Sequence, residues 1–258
     1  MIYDALEGFR RKMCSEGVIG TFSKTSDPAF IEIIGYGGFD FVILDLEHGP
    51  NSVQTAQNLI RAAQVAGLFP IVRVKEFDLS VVGEALDAGA GGVQVPQVID
   101  PDGANEAVMR AKFAPEGSRG VCRFVRAAGY SSIDRFEYFK RANGTLVVLQ
   151  LEGKEAAAQA EGIAGVKGVD VIFIGPYDLS QSLGVPGEID HPLVDGKMRD
   201  IVSHCAKKGV VVGTFVDTIE NALKWKALGV RYLAYSVDVG LFFEKCAAVV
   251  RDLRNLAK

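Results

Sequence analysis

Eight short runs in this chain are apolar at nearly every position, and most lead into a segment with helical spacing. The runs cover residues 18–22, 41–45, 70–74, 92–95, 146–151, 171–174, 210–215 and 232–236, and helical periodicity marks 53–66, 79–88, 105–112, 155–163, 194–208 and 219–228. A strand that is apolar on both faces must be covered on both, as in a parallel sheet flanked by helices. Glycine closes several helices just ahead of the next run, as in Lys208-Gly209-Val210 and Leu228-Gly229-Val230, where a residue tolerant of positive φ caps well. Eight β/α units in 258 residues predict an α/β fold, a closed (β/α)8 TIM barrel forming one domain over 1–258. An open doubly wound sheet competes, but no run leads into a dinucleotide fingerprint. Gly35-Tyr36-Gly37-Gly38 precedes its run, the wrong order for cradling a phosphate.

Composition narrows the function. Net charge is −4 with the two signs interspersed, which offers no electrostatic footprint for nucleic acid or an anionic membrane. Cys14, Cys122, Cys205 and Cys246 are widely spaced and lack a Cys-x-x-Cys pair, so free thiols in a reducing compartment are expected. The first eleven residues are charged and amphipathic, unlike a signal peptide, and no 18-residue apolar stretch occurs. A cytoplasmic protein is expected.

Two segments stand outside the repeat. Between Val98 and Thr145 lie about 47 residues, including a stretch from Pro115 to Arg141 rich in arginine, glycine and aromatics. A long loop of this kind is expected at the catalytic face. Residues 241–256 are amphipathic and could cover the last strand or swap onto a neighbouring copy.

In a barrel enzyme the site lies at the C-terminal strand ends, and here those ends are polar. Two consecutive runs finish in acids, Glu152 and Asp178. Apolar runs fix such carboxylates rigidly at a cleft, as a hard divalent cation requires, although helix caps or ion-pair partners would also suit these positions. His48 follows Asp45 by three residues, a spacing at which a carboxylate could orient an imidazole base; a structural histidine is the plainer alternative. Arg73 ends its run and would stabilise an oxyanion if it faces the mouth; alternation alone leaves its direction open. Gly175-Pro176-Tyr177-Asp178 reads as a strand-to-helix turn whose amides suit a small carboxylate, or as an ordinary capped turn.

Taken in order, Asp45-Leu46-Glu47-His48-Gly49-Pro50, Val72-Arg73-Val74, Ala85-Leu86-Asp87-Ala88-Gly89-Ala90, Val95-Pro96-Gln97-Val98, Pro115-Glu116-Gly117-Ser118-Arg119-Gly120, Gln150-Leu151-Glu152 and the turn from Gly175 to Gly184 form a longer pattern. With these seven motifs the chain resembles the HpcH/HpaI family of class II pyruvate aldolases nearly end to end. The resemblance implies a phosphoenolpyruvate/pyruvate-type barrel that reversibly cleaves a 4-hydroxy-2-oxoacid to pyruvate and an aldehyde. It implies a divalent metal (Mg2+, Mn2+ or Co2+), no Schiff base and no organic cofactor. Glu152 and Asp178 would be the metal ligands, with Gln150 beside them. His48, paired with Asp45, would be the base acting through bound water, and Arg73 would hold the keto or enolate oxygen. The backbone of Gly175, Pro176, Tyr177 and Asp178 would receive the pyruvate carboxylate. Asp87 would reach His48 of a neighbouring subunit in a homo-oligomer, the hexamer (a dimer of trimers) usual in the family.

Three departures bear on the aldehyde. Gly153 stands where many relatives carry a hydroxyl residue, Tyr177 where the residue is often small, and Cys122-Arg123-Phe124-Val125-Arg126 replaces a stretch of small residues. The basic loop points to an acidic aldehyde. Two other functions fit the same barrel: a lysine-dependent Schiff-base aldolase, for which Lys24 and Lys75 lie near strand ends, and a catalytically silent ligand-binding barrel.

Overall fold

The eight apolar runs form eight parallel strands, and each β-branched, both-faces-buried stretch pairs with its sequence neighbours on either side. In the computed structural model, which describes residues 2–75 and 78–256, the strands are β1 (Val18–Ser23), β2 (Phe41–Asp45), β3 (Phe69–Arg73), β4 (Gly92–Val95), β5 (Leu146–Leu151), β6 (Val171–Ile174), β7 (Val211–Val216) and β8 (Tyr232–Val237). They close in order, β8 returning to β1 through Val18↔Tyr232 and Ile19↔Leu233. The fold is the (β/α)8 barrel. The helices are α1 (Ile2–Ser15), α2 (Pro28–Tyr36), α3 (Val53–Val65), α4 (Ser80–Asp87), α5 (Pro101–Ala111), α6 (Arg135–Ala142), α7 (Lys154–Ala158), α8 (Ala160–Ala164), α9 (Pro176–Ser182), α10 (Pro192–Lys208), α11 (Ile219–Ala227) and α12 (Asp238–Leu256).

Strand alternation sorts the apolar residues into two cores. Outward positions such as Val42, Leu44, Val72, Val147, Leu149 and Ile172 pack against the helices. Inward positions such as Phe41, Ile43, Phe69, Ile71, Val148 and Phe173 fill the barrel, joined from below by Tyr3, Leu6 and Phe9 of α1. Phe9 stacks on Phe69 at 4.1 Å and meets Phe41 edge-on, so α1 plugs the N-terminal end. Glycine is required in this layer: a Cβ on Gly20 would enter the Phe41 ring, and one on Gly213 would enter Tyr232.

Local chemistry explains the helix starts. Asp27, Ser52, Asp100, Asp134 and Thr218 each accept a hydrogen bond from an amide of the first turn. α5 therefore begins at Pro101, ahead of the periodic stretch from 105 that marks it in sequence. The expected 155–163 helix is two short ones, separated at Gln159 (φ −99°, ψ 4°).

The long segment after α5 corrects an expectation. It links the end of a helix to the start of β5, so it lies at the N-terminal end of the barrel, opposite the strand ends that carry the chemistry. Arg126 donates there to Gln64 Oε1 and the Ala88 carbonyl, and Tyr138 packs against Tyr3 and Phe113. Within one chain, Arg123 and Arg126 are therefore remote from the catalytic face. No helix among the described residues is long and apolar enough to cross a membrane.

Candidate active site

On three strands the inward stripe changes from apolar to polar at its last step. On β2 the stripe runs Phe41, Ile43, Asp45; on β3, Phe69, Ile71, Arg73; on β5, Leu146, Val148, Gln150 and then Glu152 just past the strand. The direction of Arg73, undecided in sequence, follows from this parity: it faces the mouth, its guanidinium 4.8 Å above the Phe22 ring.

Register then brings Asp45 directly opposite Arg73. Arg73 donates from Nε to Asp45 Oδ1 at 2.9 Å and from Nη2 to Asp45 Oδ2 at 2.8 Å, while Nη1 lies 3.0 Å from Glu47 Oε2. Burial alone would raise the Asp45 pKa, but the bonds and charge of Arg73 outweigh it and hold the carboxyl below its ordinary range. Glu47 shifts the other way, pushed up mainly by burial in spite of Arg73.

This arrangement alters one expected pairing. Asp45 accepts the backbone amide of His48 at 3.2 Å and that of Glu47 at 3.0 Å, while its oxygens are bound by Arg73; it does not orient the His48 ring. The carboxylate nearest the ring is Glu47, whose Oε2 lies 4.0 Å from His48 Nε2. The imidazole is 58% exposed and stands over the mouth.

Across the barrel, Glu152 sits in a neutral cradle. Gln94 donates to Gln150 Oε1, Gln150 donates to Glu152 Oε2 at 2.5 Å, and the Gln97 amide donates to Glu152 Oε1 at 2.9 Å. Gln97 reaches that oxygen from a left-handed backbone (φ 55°), a strain of the kind that collects at functional sites. Gly175 packs tightly beside it: a Cβ there would lie 3.0 Å from Glu152 Oε2 and 3.1 Å from its Cβ. Burial, with Asp178 and Glu47 adding negative charge, raises the Glu152 pKa to about 7. No lysine or arginine among the described residues pairs with Glu152 or Asp178.

That imbalance tests the site against a metal. Two carboxylates at one mouth, one of them buried with only neutral donors, lack a cation, and oxygen donors suit a hard divalent ion. Among the described residues no group of three or more His, Cys, Asp or Glu could hold a metal, so water and substrate oxygens would fill the remaining positions. The residues present fit such an ion.

Two adjoining cavities open here. One of about 360 Å³ is lined by Lys24, His48, Arg73, Gln150, Tyr177 and Asp178, with Phe22, Phe173, Phe215 and Val237 as apolar wall. The other, about 280 Å³, includes Glu47, Gln97, Glu152 and Gln181 and shares His48 and Asp178 with the first. Tyr177 donates to Asp217 Oδ2 at 2.6 Å, a bond that with partial burial pushes its phenol up to about 12. A further cavity of about 370 Å³ lies under α1 at the far end, where Lys12 pairs with Asp40. It holds none of the expected chemistry.

Asp87 is not part of this cluster within one chain. It ends α4 at the N-terminal side of the barrel, where the buried Arg119 binds it. Glu47 carries a signal in the sequence that its motif alone does not show: it lies two residues past Asp45 and so on the same inward stripe. Gln97 gave no comparable signal, since its contribution is a backbone amide.

The HpcH/HpaI aldolase/citrate lyase model matches residues 18–244. The chain belongs to that family. It is 32% identical over 248 residues to the hydroxypyruvate/pyruvate aldolase of Paraburkholderia phytofirmans, covering 93% of this chain and 95% of that one. It is 33% identical over 238 residues to the 2-dehydro-3,6-dideoxy-6-sulfogluconate aldolase of Pseudomonas putida, covering 92% of each. Among solved structures, an HpcH/HpaI aldolase/citrate lyase family protein from Burkholderia cenocepacia superimposes with a TM-score of 0.90 at 31% identity, covering 96% of this chain and 99% of that one. Citrate synthase SbnG follows the same path, with a TM-score of 0.85 at 30% identity over 93% of this chain and 94% of that one. As a member of the HpcH/HpaI family, the protein is an aldehyde-lyase.

Proposed function

We propose that this HpcH/HpaI enzyme reversibly cleaves a 4-hydroxy-2-oxoacid to pyruvate and an aldehyde with the help of a divalent metal. The observation that carries the reading is the Glu152–Asp178 pair, two carboxylates without a cation, facing Arg73 and His48 across one mouth. A metal held by Glu152 and Asp178 would supply positive charge where the oxygen of the 2-oxo group becomes an enolate.

The chain's own residues supply the rest. His48 takes the proton of the 4-hydroxyl, through water, and its exposure leaves the ring free to do so. The oxygen's electrons form the aldehyde carbonyl, the bond between carbons 3 and 4 breaks, and its electrons pass into the enolate. Three of the five guanidinium N–H groups of Arg73 engage Asp45 and Glu47, and two remain to donate to the developing oxyanion. Pro176 has no N–H and the Gly175 amide is bonded to the Leu151 carbonyl, so the amides of Tyr177 and Asp178 in the first turn of α9 hold the pyruvate carboxylate. Protonation of the enolate carbon completes pyruvate.

The functional unit is a homo-oligomer, a hexamer built as a dimer of trimers. Supporting this, α12 exposes Phe242, Phe243 and Leu253, a face that a second copy would cover. Asp87, remote from His48 in its own chain, serves His48 of a neighbour.

The test is exchange of pyruvate methyl protons into deuterated water, followed by NMR. Exchange should occur with Mg2+, Mn2+ or Co2+, vanish in chelator and vanish in Glu152→Gln and Asp178→Asn. Exchange that persists in chelator, or inactivation by borohydride with pyruvate, would overturn the metal reading in favour of a lysine Schiff base.

A further inference from the structure

Lys24 is a cation at the mouth that no carboxylate among the described residues pairs with. It follows the inward stripe of β1, lines the 360 Å³ cavity beside His48 and Arg73, is half-buried, and forms no ion pair among the described residues. The other mouth cation, Arg73, is already engaged by Asp45 and Glu47, and Lys75 is exposed. A charge left free in a cleft with apolar walls attracts an oppositely charged ligand more strongly than one on open surface.

Its backbone is fixed from two sides. Asp238, buried at the start of α12, accepts from Ser23 Oγ at 2.6 Å and from the amides of Lys24, Thr25 and Val239. On the other side Asn51 donates to the Thr25 carbonyl, and Gly49 packs alongside, its Cβ position in ordinary contact with the Lys24 Cα. Three residues therefore hold this loop, Asp238 of α12 and Gly49 and Asn51 after β2, and none of these contacts uses the lysine ammonium. The loop is built to present a residue rather than to satisfy it.

The barrel order sets where that residue points the substrate. In a closed ring of eight strands, β1 stands diametrically across from β5, so Lys24 faces the Glu152 side over the full width of the mouth. A substrate whose 2-oxo end sits at Glu152 and Asp178 places its bond to be broken between Arg73 and His48, on β3 and after β2. Its remaining carbons then run along Phe22, Phe215 and Val237 toward β1 and β8. The other wall carries Asp217, just past β7 and bonded to Tyr177, and repels a negative group.

We propose that Lys24 selects the aldehyde partner by binding an anionic group at its distal end. The inference deepens the aldolase reading above and rests on it. The basic loop at Arg123–Arg126, which in sequence suggested an acidic aldehyde, lies at the wrong end of this chain; Lys24 supplies the cation at the right one.

The experiment compares aldol addition of pyruvate to 4-oxobutanoate and to butanal, equal in length and differing in the terminal carboxylate. A charge-assisted hydrogen bond of this kind is worth roughly a 10- to 100-fold change in kcat/KM. Lys24→Met should lose about that factor on 4-oxobutanoate, change butanal less than about threefold, and leave pyruvate methyl exchange, which needs no aldehyde, as the internal measure of a folded site. Lys24→Arg should keep most of the preference. Equal losses on both aldehydes, or no loss on either, overturn the assignment. Loss of pyruvate exchange in Lys24→Met also overturns it, because the lysine would then serve pyruvate itself. If the unaltered enzyme exchanges no pyruvate protons, the aldolase reading fails first, and that result is separate from all of these.

Discussion

At the scale of single residues, Glu152 ties function to pH. Its folded pKa, raised to about 7, exceeds the ordinary value of 4.5, so the folded protein holds a proton that the unfolded chain releases. The stability this confers is full below about pH 4.5 and is lost as pH rises through about 7. Metal-free protein should therefore melt at falling temperature across that window, and Glu152→Gln should flatten this part of the profile in a calorimetric series. Added Mg2+ or Mn2+ should restore the melting temperature above pH 7 and bind progressively more weakly as the solution is acidified, since proton and cation compete for one carboxylate. Asp45 predicts a cost of another kind. It is fully buried and bound two-pronged to Arg73, so Asp45→Ala should destabilise by about 3–5 kcal/mol in urea unfolding, because the guanidinium is left buried without its main partner. His48→Ala should leave part of the pyruvate exchange while abolishing most cleavage of a hydroxy-oxoacid, which separates the enolate from the base. The place of Glu152, Asp178 and Arg73 at the mouth was legible in the sequence because each follows or ends an apolar run. The Asp45–His48 pairing was misread because spacing of three in a loop says nothing of direction, and an arginine in register on the next strand offers a better-matched fork.

At the scale of elements, the barrel floor is where packing is least forgiving. Gly20 lies against the Phe41 ring, so Gly20→Val should cost about 1–3 kcal/mol through overpacking, read as a lower midpoint in denaturant with the same slope. Gly8, in the middle of α1 with open space at its Cβ position, is the counter-case: Gly8→Ala should stabilise by about 0.5–1 kcal/mol. The strands were readable to within a residue or so, because burial on both faces leaves an unbroken apolar run. α2, α6 and α9 were harder, being short elements of seven to nine residues whose apolar positions give too few turns to show a period. The long arginine-rich segment was assigned to the wrong end for a simple reason. A strand-to-helix loop and a helix-to-strand loop have the same composition, and only an accurate count of the elements before it separates them. That order was in fact legible, since helical periodicity over 105–112 and the run over 146–151 put the segment between a helix and a strand; the expectation rested on its length and composition alone.

At the scale of the whole molecule, the face of α12 and the position of Asp87 bear on assembly together. Sedimentation should find a homo-oligomer, and Phe242→Asp with Phe243→Asp should reduce its mass. If Asp87 works on a neighbour's His48, two inactive variants, Asp87→Ala and His48→Ala, should regain partial cleavage when mixed and reassembled, because some interfaces then carry both intact residues. No regain from well-mixed oligomers would confine Asp87 to holding Arg119. The plug formed by Phe9 against Phe69 and Phe41 has a bearing on kinetics. With the floor shut, ligands enter and leave by one opening, and in the proposed pose pyruvate and the aldehyde lie side by side across it. Neither product then has to wait for the other. In steady-state cleavage pyruvate and the aldehyde should accordingly each inhibit competitively against the hydroxy-oxoacid.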